Sequence, residues 1–339
     1  MKLYNLFAMV ACVLVIASCT KESTTTEFKD DEFELYIDFW NPDGDNPQIR
    51  FDEANSSPEV KIDFSKTFAG VAVPPNFTNV IIENVRIIDD NGVNYHINEI
   101  KAYEWREDIN DWKHDVEFVM EFDQVQDLNV MMVLDASASL GSDFANVKAF
   151  AKNFIGQVFD DISSAKIGVV DFSDVINSFA PTSNQTSLNS YIDGIEQGPF
   201  TTLYEAMAVG IDHLNGSSAE SKAILTFTDG TDNNSRPQFT PSYIVNQLNN
   251  DPSGVGITSF TIGFDGNGGV DRPVLEQVTA NGGAAAFPRT INELEVVFDR
   301  FSQQIATVYN LTYVRNQQVI DEATPAKLRF VLKSSPRQQ

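Results

Sequence analysis

The chain has 339 residues, 42% of them hydrophobic and 11% aromatic, which is enough apolar material for two packed cores. Asp and Glu number 48 against 23 Lys and Arg, and the resulting formal net charge of -25 repels nucleic acid and anionic lipid, so phosphate-backbone binding is set aside as a function. Most of that charge is accounted for by solvation of the surface.

Met1-Lys2 starts the chain with a positive charge, Leu6 to Ala17 is almost continuously apolar, and Ile16-Ala17-Ser18-Cys19 ends the run with small residues before a thiol. The apolar run is shorter than the about 20 residues a membrane-spanning helix needs, so it reads as a cleaved secretion signal over residues 1–18. Ile-Ala-Ser-Cys resembles a bacterial lipobox. The resemblance implies cleavage before Cys19, acylation of that thiol and, because Thr20 rather than Asp follows, an outer-membrane or cell-surface address. Lys21-Glu22 is a weaker hint of surface export. Cys12 leaves with the signal, so the mature chain holds no pair of thiols for a disulfide. Residues 19–31 are polar and Thr-rich, with little to bury, and read as a flexible tether.

Over residues 32–125 the apolar pattern has a period of two. Phe33, Leu35, Ile37 and Phe39 alternate with Glu34, Tyr36, Asp38 and Trp40, and Val60, Ile62 and Phe64 alternate with Lys61 and Asp63, as half-buried strands do. Val80 to Ile88 and Val93 to Ile97 flank Asp89-Asp90-Asn91-Gly92, whose Asn-Gly pair suits a tight hairpin turn. A further strand is expected from Val116 to Phe122. Together these predict an antiparallel, sandwich-like all-β domain. Asp43-Gly44-Asp45 lacks the twelve-residue calcium loop ending in Glu and reads as a turn.

Over residues 126–308 strands alternate with amphipathic helices, which predicts a parallel sheet wrapped by helices, an α/β doubly wound fold. The expected strands are Asn129 to Leu134, Ile167 to Phe172, Ala223 to Thr228, Ile257 to Phe264 and an edge strand at Ala284 to Phe287. Phe144, Val147, Phe150, Ala151, Phe154 and Ile155 form one apolar helical face. Other helices are expected around Leu188 to Ile195 and over Leu203 to Leu214, Tyr243 to Leu248, Pro273 to Thr279 and Asn292 to Val308. Residues 309–339 contain two more strand-like runs, Leu311 to Val314 and Leu328 to Leu332. These either return to the N-terminal sandwich or dock on the α/β domain.

Asp135-Ala136-Ser137-Ala138-Ser139 directly follows the buried run Val130 to Leu134, which places an acid and two hydroxyls at the carboxyl end of a strand. Hard divalent cations take oxygen ligands, and open α/β sheets gather ligands beyond the carboxyl ends of their strands. Gly198-Pro199-Phe200-Thr201-Thr202 and Thr228-Asp229-Gly230 supply further oxygens. Each piece alone also suits a helix cap or a turn; the three in order point to metal. This set of motifs resembles the von Willebrand factor A (vWA) domain and its metal-ion-dependent adhesion site, with a Rossmann-like fold.

The resemblance implies that Ser137, Ser139 and Thr201 bind the ion directly, while Asp135 and Asp229 act largely through water. The implied ion is a divalent cation, Mg²⁺ first, with Mn²⁺ or Ca²⁺ as alternatives. The implied partner is a protein presenting an acidic residue to the metal. Thr202 is the runner-up for the threonine ligand. Pro199-Phe200 stand where the family commonly has a glycine before the threonine. Asp232 reads as an acid that orders its loop, and Asp265 to Asp271 as a solvated loop.

Only three histidines occur, at 96, 114 and 213, and there is no Gly-x-Ser-x-Gly elbow, His-Glu-x-x-His helix or phosphate loop, so no catalytic residue is assigned. The reading is a non-enzymatic, lipid-anchored protein that captures a partner through its metal. The alternatives are an envelope assembly component whose metal stabilises the loop crown and, behind it, a metal-dependent hydrolase.

Overall fold

In the computed structural model, residues 33–40, 48–58, 60–64, 79–89, 95–106, 108–114, 119–252, 256–266, 269–314 and 327–336 are described. The secretion signal, Cys19, the tether, the turn at Asp43-Gly44-Asp45 and the Asn91-Gly92 pair lie outside the described residues.

The N-terminal strands are β1 (Phe33–Trp40), β2 (Gln48–Phe51), β3 (Val60–Phe64), β4 (Asn79–Asp89), β5 (Tyr95–Arg106), β6 (Asp111–His114) and β7 (Val119–Gln124). The α/β region then runs β8 (Leu128–Asp135), α1 (Phe144–Asp161), β9 (Lys166–Phe172), β10 (Ile176–Thr182), α2 (Gln185–Asp193), α3 (Leu203–Asn215) and β11 (Ser221–Thr228). It continues through α4 (Pro241–Asn249), β12 (Thr258–Gly263), α5 (Arg272–Gln277), β13 (Ala285–Ala286) and α6 (Ile291–Ala306), after which β14 (Tyr309–Val314) and β15 (Lys327–Pro336) end the chain.

The central sheet has the order β10-β9-β8-β11-β12-β13 and is parallel except at β10. All eight residues of β8 and all eight of β11 are buried, as expected for inner strands covered by helices on both faces. On one face α1 and α6 pack through Val147, Phe154, Phe298 and Phe301 against Val130, Met132 and Leu225. On the other, α3 and α4 pack through Met207, Ile211 and Ile244 against Met131, Val133 and Ile224. The helical face expected from Phe144 to Ile155 is buried throughout.

The remaining strands form two antiparallel sheets, β2-β1-β15-β5-β6 and β3-β4-β14-β7, which share a core of Leu35, Ile37, Val85, Ile87, Leu311, Tyr313, Phe330 and Leu332. Of the two places the sequence left open for the last strands, the structure shows the first: β14 lies between β4 and β7, and β15 between β1 and β5. The chain leaves these sheets after β7 and re-enters them at β14, and the two crossings are joined by Val125 N–H donating to Val308 C=O at 2.8 Å. Buried Arg86 on β4 reaches across, its Nε donating to Gln304 C=O in the last turn of α6, where a cation complements the helix dipole.

One expectation is corrected and one strand is added. β4 and β5 are not a hairpin, because β4 pairs with β3 and β14 while β5 pairs with β15 and β6. The alternation that marked both as half-buried fixes which face goes inward, and it is silent about which strand lies alongside. β5 pairs instead with the strand that follows it, β6, with Arg106 opposite Asp111 and Asn110 at a φ of 50°. β10 was not foreseen either. It is the antiparallel edge of the central sheet, and Asn177 and Ser178 are exposed, so it lacks the apolar run that marked the inner strands.

Candidate metal centre

The parallel strands β8, β9 and β11 all end at the same rim of the sheet, and the loops leaving them interlock there. β8 stops at Asp135, and Gly141, at φ 52° within the 3-10 turn Ala138–Asp143, lets the chain bend into α1. Ala136 C=O accepts from Gly198 N–H at 2.9 Å and Ala138 N–H donates to Gly198 C=O at 2.8 Å, so Gly198 forms an isolated parallel bridge with Ser137 at the start of the 198–202 loop. A side chain at position 198 would collide with Ser173 and Asp174, so the close approach requires this glycine.

Four of the five side chains expected to meet are in direct contact. Ser137 Oγ and Ser139 Oγ are 2.9 Å apart, and both hydroxyls donate to Asp229 Oδ1, at 3.2 and 3.0 Å. Asp135 is fully buried; its Oδ1 accepts from Ser137 N–H at 2.8 Å and its Oδ2 from Thr228 Oγ1 at 2.6 Å. Thr201 joins from the facing loop, with its hydroxyl oxygen 3.5 Å from where a β-carbon on Gly230 would sit. Its backbone is fixed by Asn233, which accepts from Thr201 N–H through Oδ1 and donates its own N–H to Thr201 C=O, each at 3.0 Å. Among the described residues nothing hydrogen-bonds the Thr201 hydroxyl.

Thr202 is not at this cluster. Its hydroxyl donates to Ser173 C=O at 2.5 Å and accepts from Asn234 Nδ2 at 2.9 Å, which ties the loops together. Asp232 caps α3, its Oδ1 accepting from Leu203 N–H at 2.8 Å and from Ser235 Oγ at 2.6 Å. Asp265 pairs with Arg272 at 2.5 Å and Asp271 caps α5, so both acids of that loop are engaged structurally. The sequence gives no separate role to Thr228 or Asn233, which hold Asp135 and Thr201; Thr228 stands there only as part of the Thr228-Asp229-Gly230 motif at a strand end.

The electrostatics of the cluster are one-sided. Burial, together with the nearby Asp229 charge, pushes Asp135 up to about 6 against the pull of Thr228 and Ser137. Burial likewise raises Asp229, again against hydrogen bonds from Ser139 and Ser137. Among the described residues no lysine, arginine or histidine pairs with either acid. Two carboxylates and three hydroxyls form an all-oxygen donor set, which fits a hard divalent cation and offers nothing to metals that favour sulfur or imidazole. Among the described residues no group of three His, Cys, Asp or Glu side chains is placed to hold a metal, so any ion here relies on the hydroxyls.

A parallel sheet whose strand-end loops carry Asp-x-Ser-x-Ser, a facing threonine and a Thr-Asp-Gly turn defines a class of domain. The family model of the von Willebrand factor type A domain matches residues 129–321, more than half the chain, and the protein belongs to that family. The match runs beyond α6 and takes in β14, which lies in the antiparallel sheets.

Solved structures with a similar fold include proximal thread matrix protein 1 from the mussel byssus (16% identity, TM-score 0.45), with 62% of this chain covered. This chain spans 50% of that protein's length. The vWF domain of the type V pili tip protein Mfa5 from Porphyromonas gingivalis is 15% identical with a TM-score of 0.42, covering 53% of this chain and 95% of that one. The PilB minor pilin from Streptococcus sanguinis is 13% identical with a TM-score of 0.46, covering 80% and 87%. Likenesses this distant carry no argument about function. No curated protein matches the chain.

Proposed function

We propose that this is a lipid-anchored protein of the outer membrane or cell surface that captures a protein partner through a divalent ion, Mg²⁺ first, held at Asp135, Ser137, Ser139, Thr201 and Asp229. The observation that carries the reading is the convergence of Asp135, Asp229 and the hydroxyls of Ser137 and Ser139, with the Thr201 hydroxyl beside Gly230 and, among the described residues, no cationic side chain paired with either acid. The ion, when bound, supplies the missing positive charge and an exchangeable position that a partner's carboxylate completes.

In this reading the chain's own residues have distinct tasks. Ser137, Ser139 and Thr201 present neutral oxygens, which leave the charge of the ion only partly offset and so keep it attractive to an outside acid. Asp135 and Asp229 orient the serines through the hydrogen bonds described above. The anchor is supported by Ile16-Ala17-Ser18-Cys19, with Cys19 as the acylated residue.

A second reading, in which the ion serves only to stabilise the loop crown for an assembly role, is favoured by the complete burial of Asp135. Ser139→Ala, a change at an exposed residue that removes one of the proposed direct ligands, separates the two. Magnesium-dependent capture of an envelope protein is expected to disappear in the variant while its melting temperature stays unchanged. A lowered melting temperature with capture intact would support the stabilising role instead.

A further inference from the structure

Among the described residues few large apolar side chains are exposed, and two of them flank this site: Val175 at 57% and Phe200 at 48%. Both are held there by the fold. Phe200 directly precedes Thr201. Val175 closes the turn between β9 and β10, where its C=O accepts from Ser173 N–H at 3.0 Å, and Ser173 C=O in turn accepts the Thr202 hydroxyl at 2.5 Å. Pro199 is exposed beside them. Leaving a phenylalanine half in water forgoes burial that a core position would give.

We infer that Val175, Pro199 and Phe200 form the apolar half of a two-part docking surface, and that the partner presents a carboxylate with a large apolar side chain next to it in sequence. This inference rests on the metal reading above. The same loops make the choice of partner narrow: residues 173–175 and 196–202 contain no lysine or arginine, while Asp174 and Glu196 are exposed on them. A carboxylate arriving from outside has no basic side chain on these loops to hold it and meets two like charges. Beyond the ion itself, the anchor these loops offer is apolar contact, and aromatic side chains are the residues that most often concentrate binding energy at interfaces.

The test uses the full chain with magnesium and two peptide probes, acetyl-Leu-Glu-Leu-amide and acetyl-Gly-Glu-Gly-amide, followed by saturation-transfer NMR. The leucine-flanked peptide is expected to bind roughly tenfold tighter, as burial of part of an apolar side chain allows. In the double variant Val175→Ser, Phe200→Ser the two peptides become equal, while magnesium uptake by calorimetry and the melting temperature do not change. Both residues are exposed, so the variant retains the fold. Equal binding of the peptides to the wild type, or a preference that survives in the double variant, would overturn the apolar anchor and leave the metal reading standing; no binding of either peptide to the magnesium-loaded chain would overturn the anchor together with carboxylate capture, leaving only ion binding. Absence of metal uptake, measured without any peptide, overturns both.

Discussion

Two pairs of acids in this molecule are treated in opposite ways. In the antiparallel sheets Asp38 is buried, yet Arg329 Nε and Nη2 clasp its two oxygens at 2.7 and 3.0 Å, and Arg329 Nη2 also reaches Asp52 at 2.9 Å. Burial tends to raise Asp52, but hydrogen bonds from Asn55 and the Arg329 charge outweigh it, and the carboxyl is held below its ordinary value. At the rim of the parallel sheet Asp135 and Asp229 are raised, and among the described residues their hydrogen-bond partners are hydroxyls and backbone N–H groups. The chain brings its own cation, Arg329, to the first pair, and among the described residues it brings none to the second. An acid pair kept together without internal charge balance has a use for a cation from solution, and the hydroxyls around it are the ligands a hard ion takes.

The contrast can be broken most severely at Arg329. Arg329→Met strands Asp38 in the sheet without its main partner, and unfolding in urea is expected to show a loss of about 3 kcal/mol. A change near zero would mean that water or Arg50 replaces the guanidinium and that the two acid pairs differ less than their geometry implies. Next in size is Asp229→Asn, which keeps the shape of the cluster and removes one charge. Magnesium affinity in a calorimetric titration is expected to fall by roughly 10- to 100-fold, the usual cost of disturbing groups that orient ligands.

The smallest effect concerns pH. Because Asp52 is depressed in the folded chain, its contribution to stability is present above the ordinary carboxylate value of 3.8 and is lost as pH falls through its lower folded value. Urea midpoints of the wild type should therefore decline below about pH 4, and Asp52→Asn should flatten that decline by roughly 0.5 kcal/mol. An unchanged acid limb would show that Arg329 serves Asp38 alone.

Much of the α/β region was legible because its inner strands and helix faces are apolar enough to be read locally. Val130 to Leu134 and the spacing from Phe144 to Ile155 each signal burial without reference to anything distant. β10 and β6 escaped because edge strands bury little: Asn177, Ser178, Asp111 and Lys113 carry no apolar alternation. The partners of β4 and β5 escaped for another reason. Pairing with β14 and β15 joins residues more than 200 positions apart, and nothing in either segment encodes that choice. At the candidate site Asp135, Ser137, Ser139 and Asp229 were visible as strand-end residues with chemistry. The hydrogen bond from Thr228 to Asp135 was not, because a buried threonine in an apolar strand looks like filler until the neighbouring strand is beside it.

The most direct measurement is isothermal calorimetry of the full chain with Mg²⁺, Mn²⁺ and Ca²⁺ near neutral pH, alongside the double variant Ser137→Ala, Ser139→Ala. Saturable uptake of a single ion per wild-type chain, lost or strongly weakened in the variant, is the predicted result. Failure of all three ions to bind the wild type would contradict the account at its centre, since the two acids at the rim would then tolerate their burial with no cation at all.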